Sequence, residues 1–303
     1  MALQTLVIVA WTLCAALFAA YAASVAGEIT YVTLADGRRT ERRLPLIFRM
    51  LLPFAPNFRR WLSRPAFAKQ RDRAEKMLAS SGMEGLLSGS EFLALRHLVP
   101  IAVGGGFAFA TMALSALMPG SFIADNRLAL VVLGFAYGCL YPTSWLRRTL
   151  RRRHGEIAKA LPFVLDLLTL SVEAGMDFMS ALQRNCERRK LDALNEELIR
   201  MIREIQVGTP RRVALRNLSS RVGQGDLASV AHALVQADEL GVPIGSILRI
   251  QSEQMRGRRF DRAEKLANEA PVKMLAPLLL CIFPSVFIIL LGPIMMQAAK
   301  NLF

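Results

Sequence analysis

Several signatures of enzymes are missing from this 303-residue chain. It has no G-x-x-x-x-G-K-[ST] phosphate-binding loop, no H-E-x-x-H zinc motif and no G-x-S-x-G nucleophile elbow. The three histidines, His97, His154 and His232, are far apart in the sequence, and His232 lies between two alanines on a predicted helix. A lone histidine there is typical of a packed or surface residue rather than a metal ligand. We therefore expect no catalytic site, no cofactor and no metal ion.

Cysteine and acidic residues are also scarce. The four cysteines, Cys14, Cys139, Cys186 and Cys281, have neither CxxC nor Cys/His spacing, so the sequence predicts neither a disulfide framework nor a zinc site. Only 24 acidic residues oppose 38 Lys and Arg, which gives a net charge of +14 in a chain that is 53% hydrophobic. In so apolar a chain, an excess of Lys and Arg indicates the cytoplasmic loops of a membrane protein before it indicates a nucleic-acid partner.

Apolar stretches long enough to cross about 30 Å of hydrocarbon as helices are present in the sequence. The first stretch, Leu3–Ala26, contains no charged residue. Within it, Ala20–Ala22 resembles a signal-peptide cleavage site. The amino end has no Lys or Arg, which favours a retained span over a signal peptide. The predicted transmembrane helices are residues 1–27, 98–118, 126–146 and 275–298.

The distribution of Lys and Arg predicts the orientation of these helices. There are 13 Lys and Arg between residues 27 and 97 and 23 between residues 147 and 274, but only Arg127 and Lys300 outside them. By the positive-inside rule, the regions 28–97 and 147–274 are cytoplasmic and both termini face the other side, the periplasm in a Gram-negative bacterium. The charge is then explained by topology, and we expect no nucleic-acid partner.

The segment 44–62 mixes apolar residues, arginines and Trp61 with three prolines, and it is too interrupted to span a bilayer. It can lie at the membrane interface, with Trp61 towards lipid and the arginines towards acidic headgroups. It can equally fold over the cytoplasmic domain. The sequence leaves both interpretations open.

Helical periodicity dominates the rest, so the fold class is all-α: a polytopic membrane protein with about four transmembrane helices and a cytoplasmic six-helix bundle. Upstream, Pro65–Ser80 and Ser88–His97 are predicted helices, and Gly104–Gly106 is predicted to let helices pack closely. Prolines 277, 284 and 293 predict kinks in the last span.

Six helices are predicted for the bundle. The first is Glu156–Ala174, the second is Phe178–Leu191 with Asp177 as its cap, and the third begins at the cap Asp192 and ends at Gly208. The fourth begins with Thr209 as cap and Pro210 and runs through Val222, the fifth begins at the cap Asp226 and ends near Gly241, and the sixth is Ile244–Ala270, with Pro271 at the approach to the last span.

The acidic residues of the bundle are its most informative polar groups. Asp238 falls on the apolar stripe of its helix by i, i+4, i+7, i+11 spacing, beside Glu239 at the helix end. Glu173 shares a face with Asp166, and Glu204 lies just before a helix stop. Carboxylates on or beside apolar faces need partners. These residues either pair with arginines and helix ends inside the bundle or contact another protein.

The order of the bundle segments resembles the type II secretion system F domain family over about residues 160–296. The resemblance rests on LPFVLDLLTLSVEAGMDFMSAL, EELIRMIREIQVGTPRRVALRNLSSRVG and the long stretch from LASVAHALVQADELGVPIGSILRI to APVKMLAPLLL. With one domain copy, a preceding pair of spans and the upstream stretch GMEGLLSGSEFLALR, the chain resembles in particular the TadC-type platform subunits of Tad (tight adherence, Flp pilus) systems. Larger relatives carry two F domains in one chain.

The resemblance implies an inner-membrane platform without enzymatic activity. Its implied partners are a second, TadB-like F-domain protein that supplies the other domain copy, a hexameric cytoplasmic ATPase, pilin subunits and the lipid bilayer, in a homo- or hetero-oligomer. ATP-driven motion would be coupled to pilin extraction and polymerisation. The acidic positions of the family carry over to Glu173, Asp238 and Glu239. With Glu204, these are the candidate partner-contact residues.

Two other functions fit parts of the sequence. A small-solute transporter subunit would explain the proline-broken last span and the glycines of the second. Its spans, however, hold almost no ionisable residue of the kind that marks an ion or substrate path. A nucleic-acid binder would explain the charge alone, without the interleaved aromatic residues that stack on bases.

Overall fold

The structure of the chain is a computed structural model, which describes residues 30–33, 39–42, 44–55, 58, 65–117 and 126–302. The first predicted span, residues 1–27, and the turn at 119–125 lie outside the described residues. In the described part, the all-α prediction is confirmed, with one antiparallel hairpin of two short strands in addition, in which Thr30 pairs with Arg42. The strands are β1 (Thr30–Thr33) and β2 (Arg39–Arg42).

The helices follow the strands to the end of the chain. Short 3₁₀ turns at Leu52–Phe54 and Pro65–Phe67 flank the gap after the first helix, and a π-helical segment, Leu278–Ile282, joins the last two helices. The α-helices are α1 (Leu46–Leu51), α2 (Ala68–Ser80), α3 (Gly89–Leu117), α4 (Arg127–Glu173), α5 (Phe178–Arg188), α6 (Ala193–Gln206), α7 (Arg211–Val222), α8 (Gly225–Leu240), α9 (Ile244–Pro277) and α10 (Phe283–Leu302).

Three helical stretches of the described chain are long and apolar enough to cross a membrane: Gly89–Ala113, Arg127–Glu173 and Ile244–Ile294. Two of them are much longer than a bilayer requires, because each continues from an apolar half into a charged half. The chain is therefore an α-helical membrane protein whose apolar helices extend directly into a polar domain.

The polar domain is a six-helix bundle formed by the second half of α4, the helices α5 to α8 and the first half of α9. Its core includes Ile157, Leu165, Leu194, Leu215 and Leu248, all almost fully buried. Successive helices run in opposite directions, so the loops gather at two ends. The loops at 174–177, 207–210 and 241–243 form what we call the distal end, away from the apolar helices.

A smaller second core joins the upstream region to the membrane-side part of α3 and α4. Phe48 of α1 is fully buried there and packs edge-on against Trp145, with ring centroids 4.9 Å apart. Leu78 of α2 and Leu95 of α3 belong to the same cluster of buried apolar residues. In the described part of 44–62, α1 thus packs on protein through Phe48, while Leu46 and Phe54 stay exposed.

Glycines set the close approach of α3 and α4, and one of the three glycines that the sequence predicted is among them. Only Gly104 of Gly104–Gly106 has a near neighbour, Phe135. A Cβ added at Gly138 would lie 2.7 Å from the Cα of Pro100, and one at Gly134 would lie 2.7 Å from the ring of Phe107. Gly134 and Gly138 have G-x-x-x-G spacing, the signal of closely packed membrane helices that could have identified them.

Several predicted helix ends are confirmed. The carboxylate of Asp177 accepts hydrogen bonds from the backbone N–H groups of Met179 and Ser180, and that of Asp192 accepts one from Asn195. At the start of α3, the Ser88 hydroxyl accepts from the Glu91 N–H while the Glu91 carboxylate accepts from the Ser88 N–H. This reciprocal pair is a capping box.

Other predicted boundaries are wrong. No break separates the span 126–146 from Glu156–Ala174, because both belong to α4. The helix predicted to end at Ala270 continues through Pro271 to Pro277. Proline removes one hydrogen bond but does not end a helix whose neighbouring backbone groups are satisfied.

Three smaller corrections concern loops and caps. Helix α5 ends at Arg188 rather than Leu191. Pro210, not Thr209, occupies the N-cap position of α7 and makes no side-chain cap. Helix α8 is capped by Gln224, whose side-chain oxygen accepts from the Leu227 N–H at 2.6 Å, because the carboxylate of Asp226 is held by arginines of α9.

Candidate partner-contact surface

The distal end of the bundle is shaped by three loops that each place a glycine just after a helix. Gly175, Gly208 and Gly241 all have positive φ, at 90°, 101° and 68°, and follow α4, α6 and α8. This left-handed conformation ends a helix abruptly and is strained for residues with a Cβ. The glycines thereby turn the chain within a few residues and keep this end of the bundle short and accessible.

Asp238 and Glu239 lie at the distal end, on the last turn of α8. The Asp238 carboxylate is 3.5 Å from Arg212 Nε and 3.9 Å from Arg211 Nη1, while Glu239 Oε1 is 2.7 Å from Arg216 Nη2. The predicted apolar stripe of α8 is present, because Leu227, Ala231 and Leu234 are buried, but Asp238 continues it beyond the core and stays 30% exposed. Both carboxylates therefore face arginines at the surface.

Arg211 anchors this group of charges. Its guanidinium lies 4.2 Å from the centre of the Phe178 ring, within cation–π range. Burial lowers the pKa of Arg211, although Asp238 and Asp177 act in the opposite direction. Among the described residues, its Nε and Nη2 atoms are buried without a hydrogen-bond partner. A cation in such surroundings needs the nearby carboxylates.

Apolar side chains accompany these charges. Val207, after α6, is 87% exposed, and Leu240, at the end of α8, is 77% exposed. Exposed apolar residues beside paired charges are typical of protein contact surfaces. Two exposed apolar side chains therefore lie beside the ion pairs of the distal end.

Glu173 lies at the same end but faces α9. Its carboxylate is 3.8 Å from Arg249 Nη1, and two turns earlier Asp166 accepts hydrogen bonds from Ser252 and Arg256, each at 2.8 Å. The predicted shared face of Asp166 and Glu173 is confirmed: it is the face that packs on α9.

Glu204 is not brought together with the other three candidates. It accepts from Arg221 Nη1 at 2.7 Å and from Asn217 at 3.2 Å, between α6 and α7. Arg221 also donates to Glu197, at 2.7 Å, and Glu197 accepts from Arg153 of α4 at 3.0 Å. We call Arg153, Glu196, Glu197, Glu204 and Arg221 the interior network.

The interior network extends to the upstream region. Arg200 of α6 donates to Glu84, in the turn between α2 and α3, at 2.6 Å, and the hydrogen bond from this arginine holds the pKa of the Glu84 carboxyl below its usual range against the effect of burial. The Ser80 hydroxyl donates to the backbone carbonyl of Arg221 at 2.9 Å. The upstream helices and the bundle are therefore tied together at the end that lies nearer the membrane.

Sequence reasoning singled out Glu204 but missed the other four residues of the interior network. Arg153 and its partner Glu196 are 43 residues apart, so no local spacing relates them. The adjacent acids Glu196 and Glu197 on an otherwise amphipathic helix are the available signal, because they point to a buried cation nearby.

Two further side chains with potentially reactive groups are Cys186 and His232. Burial raises the pKa of the Cys186 thiol to about 12, which keeps it protonated and unreactive. His232 is exposed on α8. Across the described ranges, no group of three or more His, Cys, Asp or Glu side chains is placed to hold a metal ion. The distal end presents ion pairs beside exposed apolar residues.

Residues 164–292 match the protein family described as type II secretion system (T2SS), protein F. The matched region includes all four candidate residues and extends from the bundle through α9 into the last apolar helix. No curated protein and no solved structure matches the chain significantly.

Proposed function

We propose, given that residues 164–292 form a domain of the type II secretion system protein F family, that this protein is the platform subunit of a Tad (Flp) pilus machine. Proteins of this family are inner-membrane proteins that typically form platforms with partner proteins. In the proposed role, the chain couples a cytoplasmic ATPase to the extraction of pilin from the bilayer and its polymerisation. It contributes no catalytic step of its own.

The observation that carries the proposal is the direct continuity between the bundle and the apolar helices. Helix α4 enters the bundle, and helix α9 leaves it, without an intervening loop. A continuous helix transmits a displacement along its axis, whereas a flexible loop would absorb it. A partner bound at one end of the bundle can thereby act on the apolar helices at the other.

The distal end is the proposed contact for the ATPase, through Asp238, Glu239 and the exposed Leu240. Glu173 lies beside α9, where a change in its pairing with Arg249 on contact with the ATPase would act on that helix. The positive-inside distribution supports a cytoplasmic bundle, which is where an ATPase would reach it. A TadB-like sister protein is proposed to supply the second F domain.

The test is Asp238→Ala in the full chain, expressed in the cell that makes the filament. The Asp238 side chain is 30% exposed and its carboxylate lies 3.5 Å from Arg212 and 3.9 Å from Arg211, and Asp177 remains near Arg211 in the variant. Its removal should therefore lower folding stability by about 1 kcal/mol or less. Protein level and membrane insertion should stay normal, while filament assembly and co-purification of the ATPase should be lost. Asp261→Ala, which removes an exposed carboxylate of α9, is the matched control and should leave both intact.

Two results would contradict the proposal. Normal filaments with Asp238→Ala would remove the contact role of that residue. A wild-type protein that stays monomeric in the membrane, and binds neither a second F-domain protein nor an ATPase, would remove the platform function itself.

A further inference from the structure

A groove of about 450 Å³ runs between α4 and α5 on the flank of the bundle. Its floor is apolar and includes Phe163 and Leu167 of α4 and Ala181 of α5. Phe163 is 57% exposed, although it lies on a helix whose opposite face forms the core of the bundle. An exposed phenylalanine in a groove between helices is a feature that a second protein can cover.

The rim of the groove carries uncompensated positive charge. Arg184, Arg188 and Arg189 line it, and no carboxylate does. In the part of the chain that the structure describes, Arg189 pairs with Asp192, but neither Arg184 nor Arg188 has a carboxylate within 4 Å. The arginines of the distal end and of the interior network, in contrast, have carboxylate partners.

Polar groups in the groove are also left without partners. The side-chain nitrogen of Asn185 and the Nη1 of Arg189 are buried and, among the described residues, make no hydrogen bond. The Arg189 guanidinium lies 5.9 Å from the centre of the Phe163 ring, so the charge and the apolar floor are adjacent. These two donor atoms have almost no exposed surface, so a ligand in the groove would instead meet the exposed side chains of Arg184 and Arg188.

The position of the groove favours protein over lipid. Phe163 follows Leu146, the end of the apolar part of α4, by 17 residues, which is about 25 Å along a helix at 1.5 Å per residue. Lipid headgroups at the end of the apolar segment do not reach that far. Helix α5, which forms one wall, has 11 residues and is about 16 Å long, enough for two to three turns of a bound helix.

We propose that this groove binds a helix of a partner protein whose apolar face is edged by two or more carboxylates. The apolar face would cover Phe163 and Leu167, and the carboxylates would pair with Arg184 and Arg188. This site uses none of the residues Glu173, Glu204, Asp238 and Glu239, and it stands whether or not the distal end contacts an ATPase.

The test places a photo-reactive benzoylphenylalanine at position 163 of the full chain in native membranes. The replacement keeps an aromatic ring at position 163 and adds a benzoyl group as the reactive part. Mass spectrometry of the cross-linked peptide identifies the bound segment. The expected product is a protein segment with at least two Asp or Glu at helical spacing among apolar residues. Cross-linking to lipid alone, to no protein, or to a segment without such carboxylates would overturn the proposal.

Charge substitutions complete the test. Arg184→Glu with Arg188→Glu should lower the cross-link yield at least about tenfold, because like charges across an interface repel. Arg203→Glu, at an exposed position of α6 outside the groove, is the matched control and should leave the yield unchanged. Replacing the identified carboxylates of the partner by lysine should restore the cross-link to the double variant. An equal loss of cross-link yield in the control variant, or no recovery of the yield with the lysine-substituted partner, would also overturn the proposal. The amount of each variant in the membrane shows whether it folds.

Discussion

Arg153 shows how strongly one residue can depend on others far away in the sequence. Its side chain is only 5% exposed, and it donates to Glu196 at 2.8 Å and to Glu197 at 3.0 Å. Removing a charge from water costs several kcal/mol, which close and well-oriented partners offset. The arginine and the two glutamates are therefore stable inside the protein only together.

We predict that Arg153→Met destabilises the protein by about 3–5 kcal/mol, because it leaves buried carboxylates without their cation. The midpoint of thermal unfolding of the detergent-solubilised chain measures this loss. The neighbouring variant Arg152→Met removes an exposed i,i+4 pair with Glu156 and should cost less than about 0.5 kcal/mol. Equal effects of the two variants would show that the interior network adds nothing beyond a surface ion pair.

Asp226 is the residue that links the start of α8 to α9. Burial raises the pKa of its carboxyl, but hydrogen bonds from Arg258, Arg262 and Gln224 outweigh burial, so the pKa lies below its usual value. A carboxyl with a lowered folded-state pKa stabilises the fold above its unfolded pKa of about 3.9. That contribution disappears as the pH falls through the folded pKa.

The prediction is that Asp226→Asn lowers stability near neutral pH by roughly 1–2 kcal/mol, and that this difference shrinks as the pH falls below the unfolded pKa of about 3.9 and through the lower folded pKa. Unfolding midpoints of the two proteins, measured from pH 7 downwards, should therefore converge on acidification. The control is Asp72→Asn, which removes a largely exposed carboxylate 4.0 Å from Arg71 and should change stability at neutral pH by less than about 0.5 kcal/mol. A pH-independent difference for Asp226→Asn would contradict the role of its charge.

At the scale of helices, the sequence predicted those helix caps that depend only on contacts between neighbouring residues. The caps Asp177 and Asp192 were predictable because each carboxylate binds N–H groups within three residues of itself. Asp226 likewise stands at the predicted start of a helix. Its carboxylate, however, accepts hydrogen bonds from Arg258 and Arg262, which are 32 and 36 residues away. Gln224 then caps α8 instead. A cap fails to be predictable where a distant partner competes for the side chain.

The contact between α3 and α4 gives a prediction at the same scale. A methyl group at Gly138 would collide with the backbone of Pro100, which cannot move without moving α3. Gly138→Ala should therefore separate the two helices and cost about 1–3 kcal/mol, measured as a lower unfolding midpoint. Gly105→Ala adds the same methyl group in open space and should be neutral or slightly stabilising. A neutral Gly138→Ala would mean that the helices do not touch there.

At the scale of the whole molecule, the bundle and the three apolar segments that the structure describes were predictable as parts, but their connection was not. Charge begins at Arg147, and the sequence therefore suggested a boundary there. The structure continues α4 through it, because a change from apolar to charged residues alters the surroundings of a helix without breaking its hydrogen bonds. The same holds for α9, which carries Pro271 and Pro277 before the π-helical segment at Leu278–Ile282.

The two long helices separate as they leave the bundle. Leu248, Ser252 and Met255 of α9 are buried against the bundle, whereas its residues from Arg256 to Asn268 are exposed. Arg259 still donates to the backbone carbonyl of Lys159 on α4 at 2.6 Å, which makes it one of the last contacts between the two helices. If α9 transmits motion to the last apolar helix, it must move relative to α4 beyond this point.

We predict that a short cross-link between cysteines at positions 159 and 259 blocks filament assembly, in a background whose native cysteines are replaced by serine. A cross-link between positions 166 and 252 is the control, because Ser252 already donates to Asp166 at 2.8 Å inside the packed part of the bundle. That control should leave assembly intact, and a cleavable linker should restore assembly in the first variant after cleavage. Normal assembly with positions 159 and 259 firmly linked would exclude transmission through α9, because the helix would then function without moving against α4.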